Sequence, residues 1–213
     1  MGKATVIYLI RHAEPDYGGD GRICLGRKLD VPLSETGKVQ AEQLRRQFGD
    51  IHLDAIYTSP LIRARQTAEI LPQTCPRIVA EELTEVDSGE WDGMRFSEIY
   101  ARYPDFFDNS KDGGGQTPPG GESDEEALAR GMSLLNRLAG QKGKHFALIT
   151  HSGLGRILVC HLLGFPLYRK RTVPMQYASC TELRSEDGSW KVTLSEELLP
   201  TAFNKIQYRC DKA

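Results

Sequence analysis

The chain has 213 residues, 26% of them charged and 39% hydrophobic, with a formal net charge of −2. That length suits one well-filled domain spanning residues 1–213, and the balanced charge excludes a global field for nucleic acid or an anionic membrane, so any anion site must be built locally. Five scattered cysteines (Cys24, Cys75, Cys160, Cys180 and Cys210) without a C-x-x-C pair argue against a disulfide framework and a structural zinc site.

In chain order, Ala4–Ile10 is β-branched and apolar without alternation, the pattern of a strand buried on both faces. The stretch is too short to span a bilayer, and no signal-peptide cleavage pattern follows it, so the cytoplasm is the expected residence. A loop with Gly18, Gly19, Gly21 and Gly26 comes next. Ser34 then reads as the cap of a helix with Val39, Ala41, Leu44 and Phe48 on one face. Ala55–Thr58 predicts a second strand, and Ser59-Pro60 a cap and first-turn proline opening a helix that Pro72 stops. Residues 77–80 predict a third strand, and 95–103 a weak helix. Residues 104–122 read as a loop rich in glycine and proline, within a lid or specificity insertion at about 88–122. Ser123-Asp124-Glu125-Glu126 has the form of a capping box, with Leu128, Met132, Leu135 and Leu138 at helical spacing behind it. Residues 144–150 form the second strongly apolar strand, followed by a helix over 153–163. Residues 178–184 and 190–194 predict a hairpin at a sheet edge. The fold class is α/β: a three-layer α/β/α arrangement around a mostly parallel sheet.

Two apolar strands each end in a histidine, His12 and His151, where open α/β sheets bind ligands. Arg11 precedes His12, Arg63 falls in the first turn of a helix after a strand, and Glu85 lies just beyond the third strand. Each alone reads as an ordinary polar residue, but their shared place at strand ends suggests one site. Two arginines offer planar cationic forks for phosphate oxygens, and the helix starting near Gly153 can add backbone donors. A histidine among such cations is disfavoured in its charged form, which leaves a neutral imidazole able to attack phosphorus. A neighbouring carboxylic acid can then protonate the leaving alcohol and later deprotonate water.

Arg11-His12-Ala13-Glu14, the stretch Ser59–Ala68, Leu83-Thr84-Glu85 and Thr150-His151-Ser152-Gly153 resemble the ordered motifs of the histidine phosphatase superfamily. The resemblance spans roughly residues 5 to 163 and implies a phosphoglycerate mutase-like fold. It implies that His12 is the nucleophile forming a phosphohistidine, that Arg11, Arg63 and His151 bind the phosphoryl group, and that Glu85 is the proton donor. Ser152 joins the expected substrate-binding residues. Three positions depart from the family pattern. Ala13 stands where glycine is common, and Gly18 stands near where the family often has a phosphate-binding asparagine. Ser152 replaces the aspartate of the acid-phosphatase branch, which points to Glu85 as donor, with Asp87 as its rival.

Arg22, Arg27 and Lys28 read equally as contacts to a second anionic group or as a solvated loop. Arg169-Lys170-Arg171 reads as solvated surface, with a substrate or subunit contact as the alternative, and His52, His145 and His161 as packing or surface residues. No metal-ligand spacing links the histidines, and an arginine-rich pocket repels a divalent cation, so no metal or cofactor is expected. The partner is a small phosphorylated metabolite, and monomer and homodimer both stay open. Between Asp92 and Glu122 the basic residues Arg95, Arg102 and Lys111 face six acidic ones, which disfavours a second phosphate and hence a mutase relative to a phosphatase. A non-catalytic phosphate-binding module is a further alternative, and nucleotide binding through Ser152-Gly153-Leu154-Gly155 is disfavoured because the full G-x-G-x-x-G pattern and a P-loop lysine are lacking.

Overall fold

Alternation along the two central strands determines how the layers are built. The computed structural model describes residues 3–19, 23–71, 75–104, 117–186 and 188–194, together with the backbone of 206–210. In chain order the elements are β1 (Thr5–Arg11), α1 (Glu35–Gln47), β2 (Ala55–Thr58), α2 (Ile62–Ile70), β3 (Arg77–Val79), α3 (Phe96–Arg102), α4 (Asp124–Ala139), β4 (His145–Thr150), α5 (Ser152–Leu162), β5 (Cys180–Glu186), β6 (Ser189–Leu194) and β7 (Ile206–Cys210). Ile7 and Leu9 of β1, with Phe146 and Leu148 of β4, pack against Leu134, Leu135 and Leu138 of α4 and Ile157 and Leu158 of α5. Ile10, Ala147 and Ile149 face the other way, onto Leu44, Phe48, Ala64 and Ala68 from α1 and α2. Both sheet faces are therefore covered, which is why these strands read as continuous apolar runs. Each such leucine or isoleucine contributes roughly 1.5–3 kcal/mol by leaving water.

The sheet order is β3-β2-β4-β1-β5-β6-β7. The first four strands in that order run parallel, and β5, β6 and β7 continue the sheet in antiparallel steps. The fold is the expected three-layer α/β with a mixed, mostly parallel sheet. The expected hairpin is present as β5 and β6, but β5 pairs with β1, and β7 lies beyond β6. The sheet thus extends past the hairpin.

Several local expectations change. Val39 is 59% exposed, whereas Ala41, Leu44 and Phe48 are fully buried. At about 100° per residue Val39 points away from the stripe that the other three share. The Ser34 cap is real, its side chain accepting from the Gly37 amide, and the capping box of Ser123 and Glu126 is complete. Ser59 does not cap α2. That helix starts at Ile62, whose amide donates to Asp30 Oδ1 at 2.8 Å, so a loop aspartate supplies the capping oxygen from outside. Pro72 and residues 105–116 lie outside the described residues. Among the described residues, no helix is long and apolar enough to cross a membrane.

Candidate active site

β1 and β4 are direct neighbours, with Arg11 opposite Thr150. The next residue on each strand is a histidine. The amide of His12 still donates to the Thr150 carbonyl at 2.9 Å, and the two rings meet edge to face with centroids 4.9 Å apart. β1 leads to α1 on one face and β4 to α5 on the other, which opens a crevice at their carboxyl ends. The cavity there measures about 380 Å³ and is lined by Arg11, His12, Glu85, Ser152 and Gly153 among others. Arg63 and His151 lie behind it, fully buried.

His12 Nδ1 lies 2.7 Å from the carbonyl oxygen of Ala13. A carbonyl only accepts, so Nδ1 carries the proton and Nε2 keeps its lone pair. Burial, then the charges of Arg63 and Arg11, hold the His12 pKa well below the ordinary histidine value, against a smaller opposing pull from the Ala13 carbonyl. His151 is likewise held well below it by burial, with His12, Arg63 and Arg11 adding to the effect. The expectation of a neutral imidazole stands, although burial outweighs the arginines as its cause. His151 Nε2 meets Ser59 Oγ at 2.7 Å. Ser59 Oγ also accepts from the Leu61 amide at 3.3 Å, which leaves its own proton to donate to Nε2. In that arrangement His151 Nδ1 bears a hydrogen.

The two arginines are fixed by backbone oxygens. Arg11 Nη1 donates to the Met175 carbonyl at 2.7 Å, and its guanidinium carbon sits 3.7 Å from the centre of the Tyr177 ring. Arg63 donates to the carbonyls of Gly26 at 2.9 Å and Leu29 at 3.3 Å, with Asp30 3.7 Å away. Among the described residues, Arg11 Nε, Arg63 Nε and His151 Nδ1 are buried and have no hydrogen-bond partner. A buried donor left unpaired costs about 1–3 kcal/mol, so such a group of them calls for an acceptor.

Glu85 is 7% exposed and accepts from the amides of Gly153, Leu154 and Val86 at 3.0, 3.0 and 2.9 Å. This corrects one expectation. The first amides of α5 hold the Glu85 carboxylate and are not free donors for an anion. The close approach explains Gly153: a Cβ there would lie 2.6 Å from Glu85 Oε1. Asp87 is spent on the Gly89 amide at 2.8 Å and does not line the cavity.

Arg27 and Arg130 converge on Glu122, with Arg27 Nη2 2.6 Å from Oε2 and Arg130 Nε 2.7 Å from Oε1. Both also donate to the Glu85 carbonyl, at 2.9 and 3.3 Å, so they brace the proton-donor candidate. Lys28 Nζ donates to the Gly89 carbonyl, and Arg22 lies outside the described residues. The solvated-surface reading of Arg169-Lys170-Arg171 holds for the exposed Arg169 and Arg171 but not for the half-buried Lys170. The tight helical turn over Leu167–Thr172 brings Lys170 and Arg171 to the cavity, where Lys170 pairs with Asp124. Sequence reasoning missed Ser59, Tyr177, Glu122, Arg130 and Arg156. Helical spacing from Ser152 was a usable signal for Arg156; for the others only tertiary contacts reveal the role.

The model of the histidine phosphatase superfamily (branch 1) matches residues 7–197. The chain belongs to that superfamily and is a phosphatase of it. Phosphoserine phosphatase 1 of Hydrogenobacter thermophilus is 31% identical, over 85% of this chain and 87% of its own. The solved structure of a mycobacterial glucosyl-3-phosphoglycerate phosphatase superposes with a TM-score of 0.74 at 29% identity, covering 85% of this chain and 91% of that one. A protein of Photorhabdus laumondii named as a phosphoglycerate mutase is 28% identical over 86% of each chain.

Proposed function

We propose that this phosphatase takes the phosphoryl group of a small phosphorylated metabolite onto His12 and hands it to water, without a metal ion or other cofactor. The observation that carries this reading is the His12 ring itself. It is buried, beside two arginines, and tied through Nδ1 to the Ala13 carbonyl, so Nε2 is the free nucleophilic atom. Nε2 attacks phosphorus, the N–P bond forms, and the P–O bond to the alcohol breaks. Glu85 gives the departing oxygen its proton. Water then attacks the phosphohistidine, Glu85 takes a proton back, and inorganic phosphate leaves with His12 restored. Arg11, Arg63 and His151 bring the unpartnered nitrogens that suit the non-bridging oxygens, and phosphoryl transfer rewards such positioning. Ser152 lines the same cavity, which supports its place among the substrate-binding residues. The cations around the site repel a divalent metal. Residues 88–122 serve as the specificity segment, since Ser88, Trp91, Phe96, Pro118 and Glu122 line the cavity. The free thiols of Cys24, Cys75, Cys160 and Cys180 suit the reducing cytoplasm.

The test is phosphate release from a panel of phosphomonoesters in excess chelator. Wild type should release phosphate undiminished, and His12→Ala should lose roughly 10³-fold or more. A trapped phosphoenzyme should survive alkali and decay in acid. Activity lost on chelation, or kept by His12→Ala, overturns the mechanism. Conversion of 3-phosphoglycerate to 2-phosphoglycerate with no phosphate release would mark a mutase.

A further inference from the structure

One cation on the cavity wall has no assigned work. Arg156 follows Ser152 and Gly153 on α5 at a spacing of four and three residues, so all three occupy one face of the helix and line the cavity. Its Nε donates to the Val173 carbonyl at 3.1 Å, which fixes the root of the guanidinium. Among the described residues its Nη atoms have no hydrogen-bond partner, and no carboxylate lies within ion-pair distance.

The acids that share the cavity are already engaged. Glu85 is held by the amides of α5, Glu122 by Arg27 and Arg130, and Asp124 by Lys170. Arg171 lies near enough to Arg156 for its charge to be felt there, so two cations share this part of the wall. The charge of Glu85 acts on Arg156 more strongly, but it forms no ion pair with it and its oxygens are taken by the amides of Gly153, Leu154 and Val86.

We propose that Arg156 is the subsite for a carboxylate carried by the substrate. The preferred substrates are compact phosphomonoesters with a carboxylate a few atoms from the phosphate. The planar fork of an arginine pairs with a planar carboxylate through two parallel N–H bonds. A second phosphate suits this wall less well, because Glu122 and Asp124 stand close to it. The inference rests on the phosphohydrolase reading above, with the phosphate seated at Arg11 and His12 and the carboxylate at Arg156 on the wall of the same cavity.

O-phosphoserine and O-phosphoserinamide differ only in that carboxylate, and their kcat/KM ratio reads the subsite directly. Wild type should favour the acid by about tenfold or more, the worth of a charge-assisted pair. In Arg156→Gln the ratio should fall towards one. A wild-type ratio near one, or the same ratio in the variant, overturns the subsite. Should Arg156→Gln not fold, Arg156→Lys carries the same comparison, because a point charge replaces the fork. The ratio should then fall about threefold or more, and an unchanged ratio overturns the proposal. Turnover of p-nitrophenyl phosphate by wild type, abolished in His12→Ala, reports on hydrolysis itself. If it persists while the ratio fails, the subsite alone falls; if it is absent, the phosphohydrolase reading falls with it.

Discussion

At the floor of the cavity Arg11, Arg63 and His12 are tied to backbone oxygens of Met175, of Gly26 and Leu29, and of Ala13. On its wall Glu122 is held from behind by Arg27 and Arg130, and Asp124 is paired with Lys170. A backbone oxygen moves only with its strand or loop, so the floor is set in advance and its charges stay available to a ligand. Donors held ready in this way stabilise a transition state without reorganising during the reaction. The wall carboxylates Glu122 and Asp124 are neutralised by these cations and shape the cavity without attracting anions. Arg156 breaks that division: it stands on the wall but, among the described residues, is anchored like a floor residue through a backbone oxygen alone.

The largest expected effect breaks the floor. Arg63→Met keeps the volume and removes the fork, leaving the Gly26 and Leu29 carbonyls without their donor. We expect kcat/KM to fall roughly 10³-fold, with a lower thermal midpoint as well. Arg63→Lys should recover stability better than activity, because a single ammonium cannot reproduce the planar geometry. A variant with near wild-type kcat/KM would show that Arg63 is only structural.

The contrast also explains what could be read in advance. Arg11, His12, Arg63, Glu85 and His151 follow strands whose apolar runs are plain in the sequence, so strand ends locate them without any knowledge of side-chain contacts. The sheet and the flanking helices were legible for the same reason. The wall was not. Glu122 meets Arg27 across a sequence separation of 95 residues, and Tyr177 reaches Arg11 from a stretch with no periodic pattern. Ser59 looked like a helix cap because serine before proline usually is one; a buried histidine on the neighbouring strand claimed its hydroxyl instead.

A smaller effect tests the hinge between floor and wall, where Glu85 sits. Glu85→Gln should slow hydrolysis of alkyl phosphates about 10²-fold while affecting p-nitrophenyl phosphate much less, since that leaving group needs little protonation. Gly153→Ala should give a weaker version of the same pattern, about tenfold, because its Cβ would press on Glu85 Oε1 at 2.6 Å and displace the carboxyl. Equal losses on both substrate types would remove Glu85 from the role of proton donor.

The smallest effect separates floor from wall by pH. His12 and His151 are held well below the ordinary histidine value of 6.5 in the folded chain. Below that value the unfolded state binds protons that the folded state refuses, so acid costs stability from about pH 6.5 downward. Two such histidines should together give a slope of about 2.7 kcal/mol per pH unit at most. Glu122 behaves oppositely. Burial alone would raise its pKa, but the Arg130 hydrogen bond and the charges of Arg130 and Arg27 hold it below its ordinary value of 4.5. Its contribution is therefore intact above that value and is lost only as pH falls through the depressed one. Denaturant midpoints followed from pH 8 to 4 should fall first through the floor, before the wall titrates. His151→Gln, which removes one of the two groups, should flatten the slope below pH 6.5. An unaltered slope would mean that His151 already takes up a proton in the folded state, and the neutral floor would have to be abandoned.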